Sequence, residues 1–305
     1  MSDVSSPVLK VAFLGDKDAC IAETRWAQNV IGHIRNHFVE MEPSEAHVLV
    51  VSDVTTNDHR KNEALVNQFL AVRRNKPIVV FLHDDPAEPM RLSAPSRVLL
   101  LRTSINRSTA KPYEQVLPSF QAEDNKVCML SPALCLTAAK PFVGFCGVVR
   151  WPSRRATCDA LLALPELFDT KFVYRYDHHT RQSKEDQERF KREFNEILQQ
   201  CPYQLCCRGG GNFSHRFYET LAAGRIPVLI DTDTMLPPNV PNGLWDRCIV
   251  MANSAEALPE KLLQFHAKHN VSTTQVMCRN LWQTYLSFEG YAKYMEKQIT
   301  LLLNK

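Results

Sequence analysis

Apolar residues in the first third of the chain come in short runs. Residues 11–14 (VAFL), 47–51 (HVLVV), 77–82 (PIVVFL) and 97–101 (RVLLL) are the clearest. Runs this short and this rich in Val, Leu and Ile predict strands buried on both faces, as in a parallel sheet. Between them the spacing turns helical, with Leu65, Phe69 and Val72 inside 63–74 and a further helix expected over 23–38. Strand and helix in alternation predict a parallel sheet wrapped by helices. From 103 to 135 the periodicity fades and Pro112, Pro118 and Pro132 intervene, which reads as an irregular linker or a loop over a cleft.

A second alternating unit begins near Lys140. Strands are expected at 141–146, 171–176, 203–207, 226–230 and 248–251. A helix capped by Ser153 is expected to run to 164. Another spans 183–200, where Phe190, Phe194, Ile197 and Leu198 share one face and Ser183 with Asp186 forms a capping box. A helix over 214–223 stops at Gly224, and three helical segments close the chain. The expected fold class is α/β of the GT-B type: two Rossmann-like units, 1–135 and 136–287, facing a central cleft, with 288–305 as a helix packing back on the first. In such a pair the ligand sits outside the carboxyl ends of the strands.

Composition narrows the function. The chain has 305 residues, 45% hydrophobic and 23% charged, as soluble globular proteins do. No apolar run approaches the ~18 residues of a bilayer span. A net charge of +3 without long single-sign blocks excludes a general nucleic-acid or membrane-surface role, so any anion site is local. Residues 1–7 are polar and the apolar stretch that follows is too short for a signal peptide, so a soluble, cytoplasmic protein is expected. Ten scattered cysteines with no CxxC pair read as reduced, buried thiols. Glycine is the outlier, with ten residues where average usage would give roughly 21. Six of the ten fall between Gly144 and Gly224, three of them consecutive at Gly209, Gly210 and Gly211.

The glycine run follows a strand and precedes a helix, so free backbone N–H groups and the positive end of the helix dipole favour an anion there. Arg208 and Arg216 flank it, with forked donors that suit phosphate oxygens. Glu219, three residues after Arg216, shares nearly the same helical face and could accept from the two hydroxyls of a ribose. The competing reading is a tight turn beside a surface ion pair. The fingerprints GxGxxG after a first strand and GxxxxGK[ST] are both missing, which disfavours dinucleotide oxidoreductases and P-loop enzymes.

Residues 208–233, RGGGNFSHRFYETLAAGRIPVLIDTD, resemble the donor-site segment of the exostosin-like glycosyltransferases. Three more pieces fall in that family's order: LRTS at 101–104, KPFVGFCG at 140–147, and RNLW at 279–282 with YLS at 285–287. The resemblance implies a nucleotide-sugar donor, usually a UDP-sugar, and transfer with inversion to a hydroxyl of a glycan acceptor. By position, Arg208, Gly209–Gly211, Asn212, Ser214 and Arg216 would hold the diphosphate and Glu219 the ribose. Gly144 and Gly147 would form the facing turn, with Arg150 or Arg155 as further phosphate ligands, and Arg102 and Ser104 would help bind the acceptor. The chain is expected to lack the membrane anchor and second transferase domain of the animal exostosins. It looks more like compact soluble members from bacteria and large algal viruses, one of which is a xylosyltransferase, and so xylose becomes a candidate donor sugar.

Asp231-Thr232-Asp233 has the form of a metal-binding DxD motif, but in a GT-B fold helix dipole and basic residues usually stabilise the leaving diphosphate, so no metal is expected. Asp177-His178-His179 reads as a solvated loop. An inverting transfer needs a general base on the acceptor side. Asp84 and Asp85, beside His83 at a strand end, are the favoured candidates, with Asp16 and Asp18 in reserve. The rival function is a catalytically silent sugar-nucleotide or glycan-binding module of the same fold.

Overall fold

The computed structural model describes residues 9–14, 22–34, 38–52, 58–72, 75–83, 86–127, 139–176, 183–241 and 243–304. Two sheets, each wholly parallel, organise it. In the first, β1 (Leu9–Leu14), β2 (Phe38–Glu40), β3 (Val48–Val51), β4 (Ile78–Leu82), β5 (Val98–Arg102) and β6 (Glu114–Val116) lie in the order β2-β1-β3-β4-β5-β6. Strands β3, β4 and β5 are buried along their whole length, which is why their sequences are apolar runs broken only by Arg102 at the end of β5. Their alternate residues face opposite ways. Val48, Val50, Val79 and Phe81 join a core with Trp26 and Val30 of α1 (Ala22–Gly32), and Leu49, Val51, Ile78 and Val80 join another with Val66 and Leu70 of α2 (His59–Val72).

The expected irregular stretch is more ordered than its prolines suggest. It contains β6, which joins the first sheet, and a short helix, α3 (Gln121–Asp124), whose buried Ala122 packs into the core of the second unit. Strand β6 escapes periodicity analysis because it is three residues long and its Glu114 is buried, paired with Arg102 at 2.8 Å. Arg102 also donates to the carbonyls of Glu88 and Pro86, at 2.8 and 2.6 Å. The acceptor-binding role expected of Arg102 therefore gives way to an interior one: a fully buried guanidinium with three oxygen partners ties β5 to β6.

The second sheet, in the order β11-β10-β9-β7-β8, comprises β7 (Phe142–Val148), β8 (Asp169–Arg175), β9 (Tyr203–Leu205), β10 (Ile226–Ile230) and β11 (Val250–Ala252). It is flanked by α4 (Pro152–Leu162), α5 (Lys184–Gln200), α6 (His215–Ala222), α7 (Trp245–Cys248), α8 (Leu258–Lys268) and α9 (Val271–Leu281). Strand order reverses at β7, whose neighbours are β8 on one side and β9 on the other. The expected cap at Ser153 is displaced: Trp151 occupies the N-cap position and Pro152 opens α4, since a proline tolerates the first helical turn. Two facing parallel-sheet α/β units are the GT-B arrangement.

After a π-helical turn at Trp282–Leu286, the chain returns to the first unit as α10 (Phe288–Leu303). Ser287 caps it by accepting from the Gly290 N–H. Tyr291, Met295 and Ile299 are buried in the first unit's core, each contributing about 1.5–3 kcal/mol by general transfer values. Phe288 stacks on Phe120 at 4.4 Å, and the Tyr291 hydroxyl donates to the Val116 carbonyl at 2.8 Å.

Glu123 of α3 accepts from the Phe288 N–H at 3.0 Å, at the start of α10. Burial, opposed by that hydrogen bond and aided by neighbouring Asp124, pushes its carboxyl up to about 7. The folded protein keeps this proton while the unfolded chain loses it near 4.5, so the group's contribution is complete below about pH 4.5 and lost as pH rises past 7. Glu123→Gln is expected to flatten that part of the profile. Thermal unfolding at pH 5 and pH 8 checks it, the wild type losing more stability between the two than the variant.

Candidate functional site

A cavity of about 770 Å³ opens at the carboxyl ends of β7, β8 and β9, where the second sheet reverses its strand order. Such a reversal leaves a crevice because the flanking connections depart to opposite faces of the sheet. Its walls are the turn after β7, the glycine loop after β9, one face of α5, and, from the first unit, His83, Gln121, Asn125 and Val127. Among the described lining residues, Arg150, Arg154, Arg175, Lys191 and Arg216 are cationic and Glu188 and Glu219 anionic. The excess of positive charge in a concave, partly enclosed space favours an anionic ligand.

Gly147, Arg150, Gly209, Gly210, Gly211, Ser214, Arg216 and Glu219 of the expected donor site converge on this cavity. Ser214 is the N-cap residue of α6, so the first free N–H groups of that helix open towards the glycine loop. The Arg216 guanidinium lies 3.7 Å over the Phe194 ring and its Nε is 3.9 Å from Glu219 Oε2. Its Nη1 is buried with no hydrogen-bond partner, a donor left open beside the cavity. Arg175 Nε and Asn195 Oδ1, in the same walls, are also buried and unpartnered. Unmet polar atoms of this kind are costly and are normally satisfied by water or a ligand. Glu219 is 5% exposed, and its Oε1 accepts from Asn125 Nδ2 at 3.2 Å, which places a carboxylate where the two units meet.

Other expected site residues serve elsewhere. Gly144 lies behind the wall: a Cβ there would stand 2.6 Å from Ile197 Cγ2 and 2.8 Å from Gln204 Oε1, so its lack of a side chain admits α5 against β7. Arg155 points outward, paired with Asp159 at 2.9 Å and resting on the Tyr174 ring. Arg208 is not part of the wall, and its side chain folds back towards the Gly210 carbonyl at 3.4 Å. Asn212 and Ser104 are buried against each other, the Ser104 hydroxyl accepting from the Asn212 N–H at 2.8 Å, so neither is open to substrate. Asp16, Asp18, Asp84 and Asp85, and the 177–179 cluster, lie outside the described residues.

The Asp231–Asp233 segment joins the two units. Asp231 pairs with Arg107 at 3.0 Å, and Asp233 accepts from the Ser108 N–H at 3.2 Å. Asp233 has φ of 62°, a left-handed conformation that Asp tolerates, and its N–H is satisfied by the Asp231 carboxylate at 2.9 Å. The Ser108 hydrogen bond holds its carboxyl below the usual range, with Arg107 adding to the effect. Among the described residues no three His, Cys, Asp or Glu side chains gather as a cation site would need.

Arg154 is the residue that sequence reasoning missed. Its Nε and Nη1 donate to the Arg208 and Val148 carbonyls, both at 2.8 Å, and its Nη2 lies 3.4 Å from the Cys207 carbonyl. One guanidinium therefore braces both ligand-facing turns. The signal was Pro152: a helix opened there, rather than capped at Ser153, turns Arg154 back towards the strand end and Arg155 outward. Cys146 and Cys207 also reach the cavity, but burial raises both thiols, Cys207 to about 11, so they are inert wall rather than nucleophiles.

No protein-family model and no curated protein matches the sequence. Solved structures do resemble it in chain path. Sucrose-phosphate synthase from Thermosynechococcus elongatus aligns over 97% of this chain and 99% of its own at 10% identity, with a TM-score of 0.47. WaaG, a glycosyltransferase involved in lipopolysaccharide biosynthesis, aligns over 94% and 99% at 10% identity and 0.42. The UDP co-structure of S. aureus MnaA aligns over 98% and 97% at 9% identity and 0.44. These likenesses concern chain path alone.

Asn212→Ala removes side-chain bonds to Asn106, Thr232 and the Thr232 carbonyl, each 2.6–2.9 Å long. The expected cost is about 2–3 kcal/mol in urea unfolding. Hydrogen exchange should quicken at the Arg107 and Met235 amides, which bond across the same joint to the Asp233 and Ile105 carbonyls.

Proposed function

We propose that this protein is an inverting glycosyltransferase that moves a monosaccharide from a UDP-sugar to a hydroxyl of a glycan acceptor. The observation that carries the reading is the open donor of Arg216, set beside a bare glycine loop and a helix N-terminus in a cationic cavity at the strand-order reversal. The resemblance of residues 208–233 to the exostosin-like donor segment names the ligand that such a cavity would take.

In this reading the diphosphate lies against Gly209–Gly211 and the first turn of α6. Arg216 Nη1 donates to a phosphate oxygen, and Arg150 stands at the facing turn. Glu219 accepts from the ribose hydroxyls. The charge that grows on the departing diphosphate is met by fixed dipoles and a guanidinium already in place, so the donor half needs no bound cation. The acceptor enters from the first unit's side of the cleft. Xylose is the first donor sugar to test, and the cytosol the compartment in which activity is expected.

Thermal shift with UDP, GDP and CMP, each with EDTA or Mg²⁺, tests the donor class. A ligand at 100 times its dissociation constant stabilises by about 2.7 kcal/mol. UDP is expected to stabilise in EDTA, and stabilisation by GDP alone would overturn the donor assignment. Arg216→Ala should fold, as judged by circular dichroism, yet release UDP from a UDP-sugar at least about 10²-fold more slowly. A variant with undiminished turnover removes Arg216 from the mechanism. UDP binding without turnover in the wild type would instead indicate a silent binding module.

A further inference from the structure

The cleft wall contributed by the first unit identifies the group that would accept a proton. Its described members are His83, Gln121, Asn125 and Val127, and of these only His83 has a side chain with a basic nitrogen that could take a proton from a hydroxyl. His83 follows directly on β4, at the carboxyl end of a central strand, where parallel α/β sheets mount their chemistry.

Its surroundings hold the ring in place. The imidazole centroid lies 5.6 Å from Trp26 of α1, 5.7 Å from Phe213 in the glycine loop and 5.2 Å from His215 on the first turn of α6. Two of these three rings, one in the glycine loop and one at the start of α6, belong to the segment proposed to bind the diphosphate. Donor site and acceptor side are thus packed against each other through His83, so that the separation between them is set before substrate arrives. His215 is the alternative imidazole. Its Nδ1 is 2.6 Å from Ser119 Oγ, and it sits at a helix N-terminus, where the dipole opposes gaining a positive charge.

Resting on the glycosyltransferase reading, we propose that His83 is the general base for the acceptor hydroxyl. An imidazole nitrogen takes the hydroxyl proton as the acceptor oxygen forms its bond to the anomeric carbon. The bond from that carbon to the phosphate oxygen breaks, its electron pair leaving with UDP, and the imidazolium later returns its proton to solvent. Among the described residues, the charged and titratable groups around His83 are His215 from α6, Asp124 of α3, which accepts from the Trp26 indole N–H at 2.9 Å, and Arg216 and Glu219 across the cavity.

The test compares wild type and His83→Gln. UDP affinity by calorimetry is expected to be the same in both, which also shows that the variant folds. Transfer should fall by about 10²–10⁴-fold. The acid-side fall of kcat/KM with pH in the wild type, caused by protonation of the base, should vanish from the residual activity of the variant. A His83→Gln enzyme within about threefold of wild-type rate that keeps the acid limb overturns the assignment while leaving the transferase reading intact. A wild type that binds no UDP and turns over no UDP-sugar overturns both.

Discussion

Asn212 fastens the glycine loop to the opposite half of the molecule, and the shape of the cleft follows from that one residue. Its N–H donates to Ser104, its amide nitrogen to Asn106 and the Thr232 carbonyl, and its amide oxygen and main-chain carbonyl accept from Thr232 and Thr234. A buried amide with every group engaged is rigid, because breaking any one bond strands a polar atom away from water. The loop on its amino side therefore has a fixed anchor, and the Arg107 and Ser108 contacts to Asp231 and Asp233 extend the same seam.

Around that seam the labour is divided by chemistry. Apolar strands supply stiffness: β3, β4 and β5 are buried throughout and close-packed against the helices on either side. Sequestered cations supply shape, Arg102 between β5 and β6 and Arg154 between the turns after β7 and β9, each spending donors on main-chain carbonyls that no apolar side chain could satisfy. Arg216 on α6 and Arg175 on β8 instead keep donors open beside the cavity. Counting basic residues in the sequence would rank these arginines alike, whereas their partners separate scaffolding from binding.

The fold was legible because its signal is repetitive. Apolar runs such as 77–82 and the helical face of Phe190, Phe194, Ile197 and Leu198 read correctly from spacing, and the missed elements, β2, β6, α3 and α7, are three or four residues long, below the reach of any periodicity. The candidate site was legible where main chain carries the function, at the glycine loop and the first turn of α6. It was obscured where a residue's use depends on partners far along the chain. Asn212 and Ser104 looked like ligand contacts, yet are separated by 108 positions and satisfied by each other. Arg154 and Arg155 are adjacent and chemically identical, and one position of helix phase sends them to opposite tasks.

The return of α10 to the first unit has a consequence for how the chain is made. Tyr291, Met295 and Ile299 form part of the core against which β3 and β4 bury Val48, Val50, Val79 and Phe81. A ribosome delivers those strands well before that helix. Helix α1 covers part of that face, and the rest stays open until α10, which follows the second unit along the chain, has been made, so the first unit's core cannot close before the second unit has been synthesised.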